Sequence, residues 1–310
     1  MQQTIYKSLG CIKKKMKRIL VTGATGNIGL EVVHYLSELN SDSEILAAVR
    51  NIDKAKKTFK NYPNLHYRKF DFENESTFSE AFDQVDILFL LRPPHISDVE
   101  EVFRPLLNSA EENGINKVVF LSVQGAEKSK VIPHNKIERL VQELQFDYIF
   151  VRPSYFMQNL TTTLLPEILT KKSITLPSGK AKFNWIDVKD IGESTATLIA
   201  KFENYQNQAY EITGTENKNF GDVADLMTDI TGERIRFNSI NPISFYFRKK
   251  KEGLNGGFAM VMTILHFLPR LQAEPKISDN YQKLTGKVPT TLQEFIEREK
   301  EKITTPQQRL

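Results

Sequence analysis

Residues 17–29, KRILVTGATGNIG, constrain this chain more than any other stretch. The apolar run Ile19-Leu20-Val21 leads into Thr22 and then Gly23, Gly26 and Gly29. Behind them Leu30, Val33 and Leu36 recur at helical spacing. Strand, glycine turn and helix in that order are the context a dinucleotide fingerprint requires. Gly23 permits a sharp turn, Gly26 lets backbone approach a pyrophosphate, and Gly29 lets the helix pack close to the strand. The first N–H groups of that helix then face the phosphates, with the helix dipole behind them. The spacing is G-x-x-G-x-x-G instead of the commoner G-x-G-x-x-G. The competing reading is a glycine turn with no ligand.

The rest of the first half repeats the unit. Strands are expected at 44–49, 64–69, 86–91, 117–122 and 146–151, with helices at 99–113 and 133–144. Such alternation predicts a doubly wound, Rossmann-type parallel sheet in the α/β class. The second strand ends at Arg50, about twenty residues past the last glycine, where NAD-specific folds carry an acid. An arginine suits a 2′-phosphate instead, and Lys54 adds a second charge, so NADP(H) is preferred over NAD(H). A solvated arginine at a strand end is the alternative. Asp71-Phe72 follows the third strand, where adenine should lie; otherwise Asp71 caps the next helix, for which Ser76 is the stronger candidate. Arg152-Pro153 is expected to terminate the sixth strand.

Beyond it the alternation loosens. Short strands at 174–176 and 182–186 flank a turn at Pro177-Ser178-Gly179. Helices are expected at 187–202, 219–231 and from Thr291, and one more strand at 209–213. The resulting division is a Rossmann domain at 16–157, rejoined by 184–214. A smaller α+β substrate-binding region takes 158–183 and 215–310.

Charge separates the tail from the body. The 42 basic residues exceed the 38 acidic ones only through Lys7, Lys13, Lys14 and Lys15. A neutral body argues against nucleic-acid binding. Residues 1–15 lack a signal-peptide core and are expected to be disordered, with Met16 a candidate true start. The one cysteine, Cys11, allows no intrachain disulfide, which fits a reducing cytoplasm. The longest apolar run, residues 258–268, is too short to span a bilayer, so no membrane partner is expected. Five scattered histidines offer no metal cluster. The basic run 248–251 reads as a solvated face.

Several later motifs complete a resemblance. They are His134-x-x-x-Glu138, Val151-Arg152-Pro153 with 156–160 (FMQNL), Trp185-Ile186-Asp187-Val188-x-Asp190-Ile191, 210–214 (YEITG) and Leu284-Thr285-Gly286-Lys287. With the glycine turn, they make residues 16–300 resemble the atypical, extended short-chain dehydrogenase/reductase superfamily. Within it, the chain is similar to the NmrA-like group, which includes NAD(P)H:quinone oxidoreductases and triphenylmethane reductase. The resemblance implies a cofactor path along Gly23, Thr25, Gly26, Asn27, Ile28, Gly29, Arg50, Lys54, Asp71, Phe72, Leu91, Arg92, Ser122, His134, Pro153 and Phe156. One departure stands out. The superfamily's Tyr-x-x-x-Lys pair is missing: His134 holds the lysine position, and Lys130 stands where the tyrosine would be. Tyr246 with Lys250 has the spacing by chance.

Two functions follow. One is an NADPH-dependent reductase of a flat, apolar acceptor such as a quinone, which needs little acid catalysis. His134 and Tyr155 are its candidate catalytic residues. His95, Gln124, Tyr155, Phe156, Met260 and Met262 are candidate pocket residues, methionines suiting flat ligands. The run 258–268 reads equally as a core helix, and His134 as a capping or core histidine. The other function is a non-catalytic, NAD(P)-binding redox sensor acting on a protein partner. A monomer or homodimer is expected in either case. A sugar-nucleotide epimerase is disfavoured because its chemistry needs the missing pair.

Overall fold

The computed structural model describes residues 16–39 and 43–305, so the expected disordered tail at 1–15 lies outside the described residues. The first half runs β1 (Lys17–Val21), α1 (Asn27–Glu38), β2 (Ser43–Val49), α2 (Ile52–Thr58), β3 (His66–Lys69), α3 (Phe78–Phe82), β4 (Ile87–Leu91), α4 (Val99–Glu112), β5 (Lys117–Leu121), α5 (Pro133–Glu143) and β6 (Asp147–Pro153). It continues through β7 (Tyr155–Phe156), α6 (Leu165–Lys171), β8 (Ser173–Leu176), β9 (Phe183–Ile186), α7 (Val188–Ala200), α8 (Phe202–Tyr205) and β10 (Gln208–Ile212). Last come β11 (Asn217–Lys218), α9 (Phe220–Thr231), β12 (Arg236–Ser239), α10 (Pro242–Lys251), α11 (Gly256–Phe267), α12 (Asn280–Thr285), α13 (Leu292–Arg298) and α14 (Lys300–Thr304).

Seven strands form one sheet in the order β10-β6-β5-β4-β1-β2-β3. Every pair in it is parallel. The chain winds outward from β1 in one direction and then from β4 in the other. The crevice between the C-terminal ends of β1 and β4 is therefore the topological switch point, where ligands bind in such sheets. Alternate residues feed two cores. Ile19, Val21, Ile87, Phe89 and Val119 face α1 and α7, while Leu20, Leu88, Leu90, Val118 and Phe120 face α3, α4 and α5.

The α1–α7 contact depends on Gly192, because a Cβ there would lie 2.4 Å from Glu31 Cβ. Asp187 caps α7 by accepting the Lys189 N–H at 3.0 Å. It also accepts from Gln158 Nε2 at 2.6 Å and pairs with Arg298 at 2.7 Å. Asp190 accepts the Thr290 N–H and hydroxyl, and burial raises its pKa to about 6. The acidic motif after Trp185 is thus a set of braces on α7.

A third core gathers Met157, Leu160, Phe183, Trp185, Phe220, Phe245, Met262 and Phe295. It lies under two small sheets, β11-β9-β7 and β12-β8.

Several expectations are corrected here. β6 ends at Pro153, two residues later than the 146–151 expected, because β10 pairs beside it: Glu211 with Arg152 and Ile212 with Pro153. Proline is tolerated because the last β5–β6 pair is Leu121 with Val151, so no ladder needs its missing N–H. β8 and β9 flank the turn, with Gly179 at φ +54°, and enter separate sheets. β8 joins β12, and β9 joins β7 and β11. Asn74, not Ser76 or Asp71, caps the turn before α3, accepting the Ser76 N–H at 3.2 Å. α12, expected in the smaller region, packs Tyr281 and Leu284 into the α1–α7 side of the main sheet. The basic run 248–251 is not uniformly solvated. Lys249 is buried beside Phe245 and pairs with Glu252, and Arg248 pairs with Glu167.

Candidate functional site

The turn after β1 is built tightly. The Thr22 hydroxyl donates to the Phe89 carbonyl and accepts the Leu91 N–H, each at 2.9 Å, which stitches β1 to β4 at the switch point. Gly23 takes φ +61°, and Leu91 packs over it, 3.2 Å from where a Cβ would stand. Gly29 has no such room: a Cβ would sit 2.2 Å from the Gly23 carbonyl oxygen and 2.7 Å from Ala24 Cα. Gly26 differs. Its Cβ would meet only the Gly23 oxygen, at 3.2 Å. Thr25, Gly26 and Asn27 are exposed, while Ile28 is buried. No side chain caps the start of α1, and its first turn holds no acid. The result is an open cradle of N–H groups at a helix N-terminus, the arrangement that holds a phosphate.

The flanks of the cradle are cationic or aromatic. Arg50 and Lys54 are exposed at the end of β2 and the start of α2, and the Asn51 side chain between them accepts the Lys54 N–H at 2.9 Å. Asp71 is partly exposed and accepts the Glu73 N–H, while Phe72 packs edge-on to Phe70 at 4.9 Å. Arg92 ends β4 with its Nη1 donating to the Pro93, Pro94 and Ile96 carbonyls, and no hydrogen bond at its buried Nε. The Ser122 hydroxyl, at the end of β5, is buried without a partner.

His134 opens α5 directly behind Pro133, with its ring 6.1 Å from that of Phe120. Burial, and then the charge of Arg92, push its pKa down to about 3, so the imidazole is neutral near pH 7. Glu138, one turn on, is committed elsewhere: it grips Arg152 through two bonds of 2.9 and 2.6 Å. The His-x-x-x-Glu pattern therefore divides into a partly buried neutral histidine and a structural ion pair.

The candidate acceptor pocket is less concentrated than expected. Tyr155 is partly exposed at its ring, but its hydroxyl contacts His266 Nε2 at 2.9 Å. His266 Nδ1 lies 2.7 Å from the Met262 carbonyl. A carbonyl only accepts, so Nδ1 carries the proton and Nε2 accepts from tyrosine. Burial raises the Tyr155 pKa and lowers that of His266 to about 4. The Tyr155 proton is thus spent on His266, contrary to a free catalytic hydroxyl. Gln124 Nε2 donates to Glu211 and to the Lys276 carbonyl, tethering the segment after α11. Phe156 is half-buried beside the first core. His95 is 61% exposed near Glu73. Met260 and Met262 do not act together, because residues two apart on a helix face different ways. Met262 is buried and Met260 is 47% exposed. α11 is therefore no ordinary core helix.

His266, unremarked in sequence reasoning, is the main residue missed. Its signal was a lone imidazole inside the apolar run 258–268. Gly214, the last residue of the 210–214 motif, has a packing reason the sequence does not show: a Cβ there would lie 1.8 Å from the Trp185 carbonyl oxygen, so it sets how β10 leaves the sheet past β9. Two surface cavities lie away from the cradle, about 550 Å³ beside Gly179 and Arg270 and about 390 Å³ beside Asp225 and Arg236. Among the described residues no group of His, Cys, Asp and Glu is arranged to hold a metal.

Sheet order and glycine cradle together define a Rossmann-type α/β protein whose first crossover is open at the switch point. More closely, the chain belongs to the NmrA-like family, whose sequence profile matches residues 15–296. Prestalk A differentiation protein A of Dictyostelium discoideum is 28% identical over 277 residues, which is 89% of this chain and 90% of that one. The NADPH-dependent quinone oxidoreductase of Escherichia coli, solved with NADPH, aligns with a TM-score of 0.79 at 22% identity, over 90% of this chain and 99% of that one. Triphenylmethane reductase of Citrobacter sp. gives a TM-score of 0.79 at 20% identity, over 92% of this chain and all of that one. At such identities the two structures establish the fold.

Proposed function

We propose that this chain is a cytoplasmic NADPH-dependent reductase of flat, apolar small molecules such as quinones. The observation that carries the proposal is the exposed cradle at Thr25-Gly26-Asn27, flanked by Arg50 at the end of β2. Its residues fit a dinucleotide: the first N–H groups of α1, from Asn27 on, for the pyrophosphate (the Gly26 N–H already donates to the Gly23 carbonyl at 2.9 Å), a glycine that leaves space for it, and a guanidinium for a 2′-phosphate. Arg50 and Lys54 favour NADP(H) over NAD(H). A quinone oxidoreductase and a triphenylmethane reductase with this fold support the reductase reading.

The bound nicotinamide would supply a hydride, and the protein supplies position and a dry surface. Gly23, Thr25, Gly26, Asn27, Ile28 and Gly29 would hold the phosphates, with Asp71 and Phe72 beside the adenine. Leu91, Arg92, Ser122, His134, Pro153 and Phe156 would line the nicotinamide half. His134, neutral near pH 7, would accept or donate a hydrogen bond at the ribose without adding charge. Because Tyr155 donates to His266, the acceptor's proton comes from solvent, which suits a quinone.

The second reading, a non-catalytic sensor, draws on Lys130 standing where the superfamily tyrosine would be. NADPH oxidation against quinones, aldehydes and dyes, with NADH as control, separates the two. Turnover with at least one quinone or dye, and slower turnover with NADH, is expected. Tight NADPH binding with no oxidation across the panel would instead favour the sensor.

A further inference from the structure

Helix α11 is apolar on both sides. Ala259, Met262, Thr263 and His266 are buried at i, i+3, i+4 and i+7. The opposite face carries Met260, Val261, Ile264, Leu265 and Leu268, each between 43 and 52% exposed. A helix apolar all round is normally enclosed by its own protein. Here one face stands in solvent, and α10 beside it adds Phe247 at 64% exposure. Apolar surface of that extent marks an interaction site.

The charges around it select the partner. Lys250 lies at the start of α11: its Nζ would be 3.4 Å from a Cβ on Gly256. Arg270 lies at the other end, over the Phe267 ring at 5.5 Å. Lys250, Lys251 and Arg270 are all exposed, and none has a carboxylate partner among the described residues. The one acid in 242–271, Glu252, is already held by Arg248 and Lys249. A two-fold contact with a second copy would press this patch against itself and bring like charges together. An anionic lipid surface accepts both features, because apolar side chains enter the headgroup boundary while cations meet phosphates. We propose that the α10–α11 face docks this protein onto anionic membrane surfaces. The expectation of no membrane partner rested on length. No described helix is long and apolar enough to cross a bilayer, and that leaves surface docking open.

The test is sedimentation of the full chain, without dinucleotide, with vesicles of phosphatidylcholine alone or mixed with phosphatidylglycerol. The expected result is co-sedimentation with the mixed vesicles only. Lys250→Glu with Lys251→Glu should weaken partitioning by about tenfold or more, as should Ile264→Asp with Leu265→Asp. All four side chains are exposed, and circular dichroism checks that each variant is folded. If the apolar pair unfolds, the lysine pair alone decides. No binding to mixed vesicles, or equal binding by folded variants, overturns the proposal. So does a dimer in light scattering that Ile264→Asp with Leu265→Asp dissociates in the absence of vesicle binding. Lipid binding is read without NADPH, so failure of the reductase reading leaves this result intact.

Discussion

The cradle makes opposite demands on two glycines three residues apart, and a matched pair of alanine variants exposes the difference. At Gly29 an added Cβ would stand 2.2 Å from the Gly23 carbonyl oxygen and 2.7 Å from Ala24 Cα. Both are backbone atoms, so relief requires α1 to move away from the turn by roughly 1 Å. Overpacking of this kind costs about 3 kcal/mol or more. For a chain of this size that lowers Tm by about 6 °C. At Gly26 the backbone has φ −83°, ordinary for any residue, and the Cβ meets a single oxygen at 3.2 Å. The loss of glycine's unfolded-state freedom offsets that small crowding, and Tm should stay within about 2 °C of the parent. The new methyl group nonetheless occupies the exposed mouth of the cradle. NADPH affinity should fall by about tenfold or more, since each 1.4 kcal/mol is tenfold. Thermal unfolding by circular dichroism and fluorescence titration with NADPH measure the two quantities separately. A folded Gly26→Ala protein that binds NADPH like the parent, or a Gly29→Ala protein with unchanged Tm, would refute the reasoning.

Other perturbations test the flanks. Arg50→Ala should weaken NADPH by about tenfold or more, the worth of a charge-assisted phosphate contact, and leave NADH nearly unchanged; equal losses in titration would remove Arg50 from the 2′-phosphate. Tyr155→Phe leaves His266 Nε2 buried without its donor and should cost about 1–3 kcal/mol in urea unfolding, while quinone turnover, if proton supply is from solvent, changes little. Acid should destabilise the fold through His266, whose folded pKa of about 4 lies below its ordinary 6.5. Between those values the unfolded chain binds more protons. The His266 contribution is therefore complete above pH 6.5 and is lost by up to about 1.4 kcal/mol per pH unit toward pH 4; His134 adds in the same sense, and Asp190, its pKa raised to about 6, opposes it. His266→Asn should remove the His266 share of the slope in urea titrations across the same range, and a slope identical to the parent's would refute the assignment.

Local spacing carried much of this protein in plain view. Continuous apolar runs and the 3.6-residue period of the first half mark strands and helices, and their alternation leaves few topologies besides a parallel doubly wound sheet. The glycines after β1 are legible for the same reason, since the turn and the helix start both lie within thirteen residues. Sequence could not say which distant partners the side chains would find. Tyr155 reads as a free hydroxyl until folding brings His266 to it across 111 positions. Gln124 reads as pocket-lining until Glu211 and the Lys276 carbonyl take its amide. Glu138 belongs to the His134 pattern in sequence and to Arg152 in space. Proline at 153 reads as a strand end and is one, but only the fold shows that Arg152 and Pro153 still pair with β10 after β5 has stopped. Met260 and Met262 read as a pair, but helix geometry and the third core bury one and expose the other. Hydrogen-bond donors and apolar faces carry no label of their eventual neighbours; packing among elements far apart in the chain assigns them.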